Sequence, residues 1–289
     1  MLMNQYEIIS MMNEARDNGS STLSLLGQEL EVLPWQIGQL TSLIELDLGL
    51  NELTELPPEI GNLTNLTNLK VDRNRLKTLP PEIGNLRDLT QLNVGANDLT
   101  ALPPEIGNLT NLTNLQLGHS RMSHRHNQLT RLPPEIGNMA SLTWLNLYRN
   151  YLNELPAEIG NLTNLKFLNL DDNRLTGLPP TIGKLGNLSI LDVTNNELTE
   201  LPPEIGKLTS QNELLLGGNR LTWLPAELGN LNDLAELVLE DNRLRELPSE
   251  LEHLTGLSIL YLYGNELGQS DFDFPCLANL THVLIETPR

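Results

Sequence analysis

Three histidines and two arginines are clustered in one short segment, GHSRMSHRHNQLT. Imidazole nitrogens are frequent zinc ligands, so His119, His124 and His126 are the first candidates for a metal site. The segment has no cysteine and no second ligand pair at the spacing of a zinc site. We therefore expect no metal here, and expect Arg121 and Arg125 to make this segment cationic within an acidic chain.

Carboxylates are the most abundant chemical groups, with 37 Asp and Glu against 18 Lys and Arg, for a net charge of −19. Many of the glutamates recur at one position of a repeated block, which indicates a solvated ladder rather than a general acid–base pair. This ladder consists of Glu59, Glu82, Glu105, Glu135, Glu158, Glu204 and Glu227. No phosphate-binding glycine motif and no Ser-His-Asp pattern occurs. We predict a protein that is not an enzyme and needs no cofactor.

The negative charge also restricts the partners and the compartment. Nucleic acids and anionic membranes require clustered Lys and Arg, so neither is expected as a partner. One cysteine, Cys276, excludes an intramolecular disulfide framework, and the N-terminal sequence reads as neither a signal peptide nor a membrane span. We expect a cytoplasmic protein, or an exported bacterial effector without a cleaved signal peptide.

A Leu-x-Leu motif recurs every 23 residues along almost the whole chain, as between Leu46 and Leu69. Alternating apolar residues predict a short strand with its leucines on one face, and no single unit can bury that face alone. The units must therefore stack into one parallel sheet whose other face stays open. An asparagine column follows the strands, and its buried amides must bond backbone groups of the turns. That column consists of Asn51, Asn74, Asn97, Asn127, Asn150, Asn173, Asn196, Asn219, Asn242 and Asn265.

Each unit reads L-x-x-L-x-L-x-x-N-x-L followed by x-x-L-P-x-E-I-G-x-L. This pattern resembles the 23-residue class of leucine-rich repeat proteins, which includes plant intracellular Ras-group-related proteins, bacterial proteins and the repeat domains of Roc–COR GTPases. The resemblance implies an α/β solenoid, the leucine-rich-repeat horseshoe. Its parallel sheet would line the concave face, with short helical or irregular segments on the convex face. It also implies a protein partner on the concave face, and it supplies no catalytic residues.

The repeat boundaries predict one solenoid over residues 21–268 with a cap at each end. Residues 1–20 are expected to form an N-terminal helical cap, because residues 4–17 have an amphipathic pattern. Residues 269–289 are expected to form a C-terminal cap that contains the last strand. The interval from Leu102 to Leu132 is 30 residues instead of 23, which places an insertion at residues 120–126.

The outward-facing strand positions are the variable part of the repeat and the place to look for a binding site. Trp144, Phe167 and Ile190 stand on consecutive predicted strands, with Tyr148 and Arg149 just beyond the first of them. An exposed apolar patch usually marks an interaction site, and Trp, Tyr and Arg dominate binding energies. We therefore predict that these five residues bind the partner.

A second apolar patch is predicted further along the chain. Its members are Leu215, Val238, Ile259, Tyr261, Tyr263 and Leu284. Acidic residues surround it, namely Glu213, Glu236, Glu240 and Asp241. We include Tyr261 and Tyr263 among the predicted partner-binding residues.

The insertion lies between the predicted strand that ends at Leu117 and Asn127, a member of the asparagine column. It must therefore loop out at the edge of the concave face, beside Trp144 on the next strand. Arg121 and Arg125 would then steer a polar or acidic partner to the rim. A tolerated change of loop length is the alternative, since rim loops accept insertions at little energetic cost.

We predict a non-enzymatic protein–protein interaction scaffold that acts as a monomer. One alternative is a regulatory or sensor module of a larger signalling assembly, associated with a GTPase or an effector. A second alternative is glycan recognition through the amide-rich N-terminal half together with Trp144.

Overall fold

The computed structural model describes residues 4–118 and 125–268, together with the backbone of residues 282–284. The chain forms two compact units, Met1–Leu145 and Asn146–Arg289. Both are built from the same repeat, and each is described by itself.

The first unit begins with helix α1 (Gln5–Asp17), at the place where the amphipathic pattern predicts a helix. Asn4 caps it in a reciprocal arrangement: the Asn4 side chain accepts from the Glu7 backbone N–H, and the Glu7 carboxylate accepts from the Asn4 N–H. Arg16 donates to the Gln39 side chain at 2.9 Å and so joins the helix to the first repeat. The buried side chains of the helix are Ile8, Met12 and Ala15.

The strands of the first unit have three residues each and pair in parallel. They are β1 (Thr22–Ser24), β2 (Glu45–Asp47), β3 (Asn68–Lys70), β4 (Gln91–Asn93) and β5 (Asn114–Gln116). Strand β6 (Trp144–Asn146) contains the end of this unit. The central leucines align, as in the pairing of Leu46 with Leu69, and all of them are buried.

The second unit has the same parallel order along the chain. Its strands are β7 (Phe167–Asn169), β8 (Ile190–Asp192), β9 (Glu213–Leu215), β10 (Glu236–Val238), β11 (Ile259–Tyr261) and β12 (His282–Leu284). In β7–β11 the central leucine is buried and the residues on either side of it are half-buried, except that Val238 is buried. The predicted last strand is therefore present, while the rest of the expected C-terminal cap lies outside the described residues.

Short 3₁₀ turns return the chain from one strand to the next. They span Trp35–Gln39, Pro58–Asn62, Pro81–Asn85, Pro104–Asn108, Pro134–Asn138, Ala157–Asn161, Pro180–Lys184, Pro203–Lys207, Ala226–Asn230 and Ser249–His253. The proline before each turn fixes the backbone angle φ where the turn begins, as at Pro80 with φ −67°. The glycine lets neighbouring turns touch, because a Cβ on Gly84 would lie 2.5 Å from the Glu105 carbonyl oxygen. These turns and the parallel strands confirm the predicted solenoid fold class.

The asparagine column forms the expected ladder of buried hydrogen bonds. Asn97 donates from Nδ2 to the carbonyl oxygens of Val94 in its own repeat and Val71 in the preceding one, both at 3.0 Å. Its Oδ1 accepts from the backbone N–H of Leu76 at 3.0 Å. One side chain thus satisfies backbone groups of two repeats, which makes Asn structural at this position.

Candidate functional site

The open face of the second unit is formed by the outward residues of β7–β11. Phe167 and Ile190 are paired across β7 and β8, and both are half-buried. Adjacent strands lie about 4.8 Å apart, so the two side chains are neighbours on one surface. The structure thus brings together two of the predicted binding residues.

A second apolar set lies on the same face. Leu215 pairs with Val238, and Val238 pairs with Tyr261, across β9, β10 and β11. We call these three residues the apolar column. Leu215 and Tyr261 are half-buried, whereas Val238 is buried between them. Tyr263 lies just beyond β11, where it is half-buried and its carbonyl accepts from the Asp241 N–H at 2.9 Å.

Two glutamates lie beside the apolar column. Each is the first residue of its strand, with the buried leucine between it and the column residue. Glu213 and Glu236 pair in register on β9 and β10. Burial raises the pKa of Glu236, and the neighbouring Glu213 raises it further. Glu213 is therefore close enough to oppose the ionisation of Glu236.

Glu240 follows β10 and adds a third carboxylate. Burial raises the pKa of Glu240, a hydrogen bond from its own backbone N–H lowers it, and Asp241 and Glu236 raise it again. Its Oε2 is buried without a hydrogen-bond partner among the residues that the structure describes. Ion pairs in this part of the chain join Arg149 to Asp172, Arg220 to Glu197 and Arg245 to Glu266, and none of them neutralises these glutamates.

Trp144 belongs to the first unit. It remains 39% exposed on β6, and its backbone N–H donates to the Thr113 carbonyl at 3.0 Å. The outward residues of β3, β4 and β5 are mainly amides. Asn68, Lys70, Gln91, Asn93, Asn114 and Gln116 line a shallow depression on this face.

The expectation of an exposed anchor is wrong for Tyr148, which is only 8% exposed. The equivalent position is also buried at Asp171 and Gly217, and it is half-buried at Thr194, Glu240 and Tyr263. Arg149 is half-buried and its Nε lies 3.2 Å from Asp172 Oδ2. Tyr148 therefore contributes to packing, and Arg149 joins two successive repeats.

The asparagine ladder continues across the interval in which the insertion is predicted. Asn127 donates to the Leu117 carbonyl across 10 residues, where Asn97 makes the same bond across 3. Arg125 pairs with Asp98 at 3.0 Å, whereas Arg121, His119 and His124 lie outside the described residues. Within the part of the chain that the structure describes, no group of His, Cys, Asp and Glu could hold a metal ion.

The family of the chain follows from its sequence pattern. A leucine-rich repeat region matches residues 29–132 and 157–283, and a leucine rich repeat matches residues 125–175. The chain belongs to the leucine-rich repeat family. No match was found among curated proteins. Leucine-rich repeat domains are generally protein-interaction modules, and the fold is typically a non-enzymatic scaffold.

Solved leucine-rich repeat proteins resemble the chain over most of its length. A leucine-rich repeat protein of Leptospira interrogans is 30% identical, with 95% of this chain and 98% of that chain covered and a TM-score of 0.41. The ectodomain of the Arabidopsis thaliana receptor kinase GASSHO1/SCHENGEN3, solved with CASPARIAN STRIP INTEGRITY FACTOR 2, is 29% identical with a TM-score of 0.63. The functional domain of InlJ from Listeria monocytogenes is 25% identical with a TM-score of 0.65. The chain aligns over 91% and 92% of its own length with the last two, but spans 38% and 58% of theirs.

One surface of this leucine-rich repeat protein was not predicted from the sequence. Trp223 is exposed next to the turn Ala226–Asn230, and with Leu224, Glu246, Leu247 and Pro248 it lines a small cavity away from the open face. The signal was available in the sequence, since Trp223 stands immediately before a Leu-Pro pair, where neighbouring repeats carry Glu200 and Glu246. In the described residues, no helix has the length and apolar character needed to cross a bilayer.

Proposed function

We propose that this leucine-rich repeat protein is a non-enzymatic scaffold that binds a protein partner on the open face of its sheet. The observation that carries the proposal is the register pairing of Phe167 with Ile190 on adjacent strands. Both side chains lie on a surface whose other strand positions include polar residues such as Asn169 and Asp192. Apolar side chains on such a face provide anchors that water-exposed polar residues cannot.

Trp144 is a separate candidate anchor in the first unit. A tryptophan that stays 39% exposed on a strand can bury substantial additional area in a complex. At about 25 cal/mol per Å² of apolar area, a few such side chains are sufficient to anchor a partner.

The test is affinity capture from cell extract with quantitative mass spectrometry. We compare the wild type with Phe167→Ala/Ile190→Ala and, separately, with Trp144→Ala. Each variant has a matched control that removes an exposed tryptophan from the same unit but not from the open face. The control for the double variant is Trp223→Ala, just before a 3₁₀ turn, and the control for Trp144→Ala is Trp35→Ala, in a 3₁₀ turn.

A partner that is lost in the open-face variants and kept in the controls supports the proposal. An identical set of captured proteins in all variants contradicts it. If the lost partner is a GTPase or another signalling enzyme, the scaffold acts as a regulatory module of that assembly.

Glycan recognition is a second candidate, favoured by the amide-lined depression on the first unit. Asn and Gln side chains can donate to and accept from sugar hydroxyls at the same time. A glycan array with the wild type and Gln91→Ala/Asn114→Ala tests it. Binding that the double variant abolishes supports glycan recognition, and an array without signal contradicts it.

A further inference from the structure

The open face of the second unit combines an apolar surface with uncompensated negative charge. Leu215, Val238 and Tyr261 form the apolar column on β9–β11. Glu213 and Glu236 occupy the other outward position of β9 and β10. Two outward positions on one strand are separated by two residues, or about 6.6 Å. On β9 and β10, a ligand above the sheet therefore meets carboxylates along one edge and apolar side chains along the other, whereas the carboxylate edge continues as Phe167, Ile190 and Ile259 on β7, β8 and β11.

The charge of this face is of one sign. The outward positions of β7–β11 contain Asp192, Glu213 and Glu236 and no Lys or Arg. Glu240 lies just beyond β10, with a carboxylate oxygen that is buried and has no hydrogen-bond partner among the described residues. Arg149, the nearest arginine before these strands in the sequence, is paired with Asp172. A cation from outside is the complement that this surface lacks.

Resting on the proposed function, we propose that the surface of Glu213, Glu236 and the apolar column binds a partner segment in which basic and apolar residues alternate. An extended chain places successive side chains on opposite sides. When it lies across the strands, one edge would present Lys or Arg to the glutamates and the other would present apolar groups to Leu215, Val238 and Tyr261. About four extended residues are enough to cross the three strands of the apolar column, which are spaced by roughly 4.8 Å.

The ionisation of the glutamates agrees with this assignment. Burial and the Glu213 charge raise the pKa of Glu236, so ionised Glu236 is under-compensated in the free protein. A lysine ammonium or an arginine guanidinium above the pair would favour its ionised form. The bound segment would thus supply the charge that the second unit's own arginines do not.

The probe is a fluorescein-labelled peptide of about eight residues in which lysine and leucine alternate, long enough to cross the face. A lysine–serine peptide keeps the charge without the apolar groups, and a glutamate–leucine peptide reverses the charge. Fluorescence anisotropy gives the Kd of each peptide at about 0.15 M salt, where contacts between distant exposed charges are screened.

Three protein variants are compared with the wild type. Glu213→Gln/Glu236→Gln removes the open-face carboxylates, and Leu215→Ala/Tyr261→Ala shortens the apolar column. Glu204→Gln/Glu227→Gln is the matched control, because it removes the same charge from successive 3₁₀ turns of the same unit. Circular dichroism melting establishes that each variant is folded.

We expect the lysine–leucine peptide to bind the wild type and the control equally, and to bind each open-face variant about tenfold more weakly. Equal weakening by the two glutamine pairs would show that only net charge matters and would overturn the inference. The same conclusion follows if the lysine–serine peptide binds as tightly as the lysine–leucine peptide, or if the glutamate–leucine peptide binds best.

The two proposals fail in different ways. If partner capture depends on Phe167 and Ile190 but the lysine–leucine peptide does not bind, the scaffold function stands and this inference is wrong. If partner capture is indifferent to every open-face variant and the peptide also fails to bind, both are wrong.

Discussion

Gln211 occupies a position of the repeat that is otherwise held by a buried leucine, as at Leu188 and Leu234. Its side chain is 0% exposed. The amide nitrogen donates to the carbonyl oxygens of Ser189 and Glu213. The amide oxygen, Oε1, is buried and has no hydrogen-bond partner among the described residues. We predict that Gln211→Leu raises the stability of the protein.

The magnitude follows from the groups that change partners. An unsatisfied buried acceptor costs about 1–3 kcal/mol, and the substitution removes it. The Ser189 carbonyl keeps two other donors, the backbone N–H groups of Asn212 at 2.8 Å and Glu213 at 3.0 Å. The Glu213 carbonyl also loses this donor, so we expect the loss of the amide N–H bonds to cost about 1 kcal/mol. The expected net gain is roughly 1 kcal/mol, or about 2–4 °C in Tm for a chain of this size.

The assay is urea unfolding followed by circular dichroism, with Gln211→Ala as the control that removes the amide without filling its space. We expect a higher midpoint for Gln211→Leu at an unchanged m value, and a lower midpoint for Gln211→Ala because it leaves a cavity. A lower midpoint for Gln211→Leu than for the wild type would refute the reasoning, since it would mean that both amide bonds outweigh the orphaned oxygen.

Three further predictions concern the turns, the acidic pair and the insertion. Gly84→Ala should lower the free energy of unfolding by about 1–3 kcal/mol, because the added Cβ would meet a backbone oxygen of the next repeat at 2.5 Å. Gly186→Ala is the control and should change the free energy of unfolding little, because a Cβ there would have nothing within 4 Å. Thermal melts compare the two variants. Glu236→Gln should stabilise the protein at neutral pH. The folded-state pKa of Glu236 is raised, so its ionised form is destabilising and the wild type should approach the variant in stability as pH falls towards 4.5; a constant difference in Tm across that range would contradict this. Deletion of residues 120–126 should change stability by less than about 1 kcal/mol, because the Arg125–Asp98 ion pair that it removes is solvent-accessible and because it returns Asn127 to the ordinary ladder spacing. It should also weaken partner binding; unchanged affinity in the capture assay would identify the insertion as a tolerated change of length.

The candidate site could be predicted only in part. The residue types on the open face follow from the alternation within each strand, and Phe167 and Ile190 are adjacent as expected. Tyr148 shows where that reasoning ends, because its position lies beyond the strand, where alternation no longer decides which side chains are buried. The ion-pair partners of Arg125 and Arg149 could not be predicted from the sequence either. A long side chain can reach any of several acidic residues in the neighbouring repeat, and only the packed structure selects Asp98 and Asp172.

The sequence by itself determined the repeat, the parallel strands, the buried leucines and the asparagine ladder. These features depend on a side-chain period and on a constant interval between equivalent residues, both of which are local properties of the chain. Tertiary structure decided which polar atoms were left without a hydrogen-bond partner among the described residues, as at Gln211 Oε1 and Glu240 Oε2, and which carboxylates shifted in pKa. The physical reason is that desolvation and charge interactions depend on distances between atoms of different repeats, and those distances exist only after the repeats have stacked.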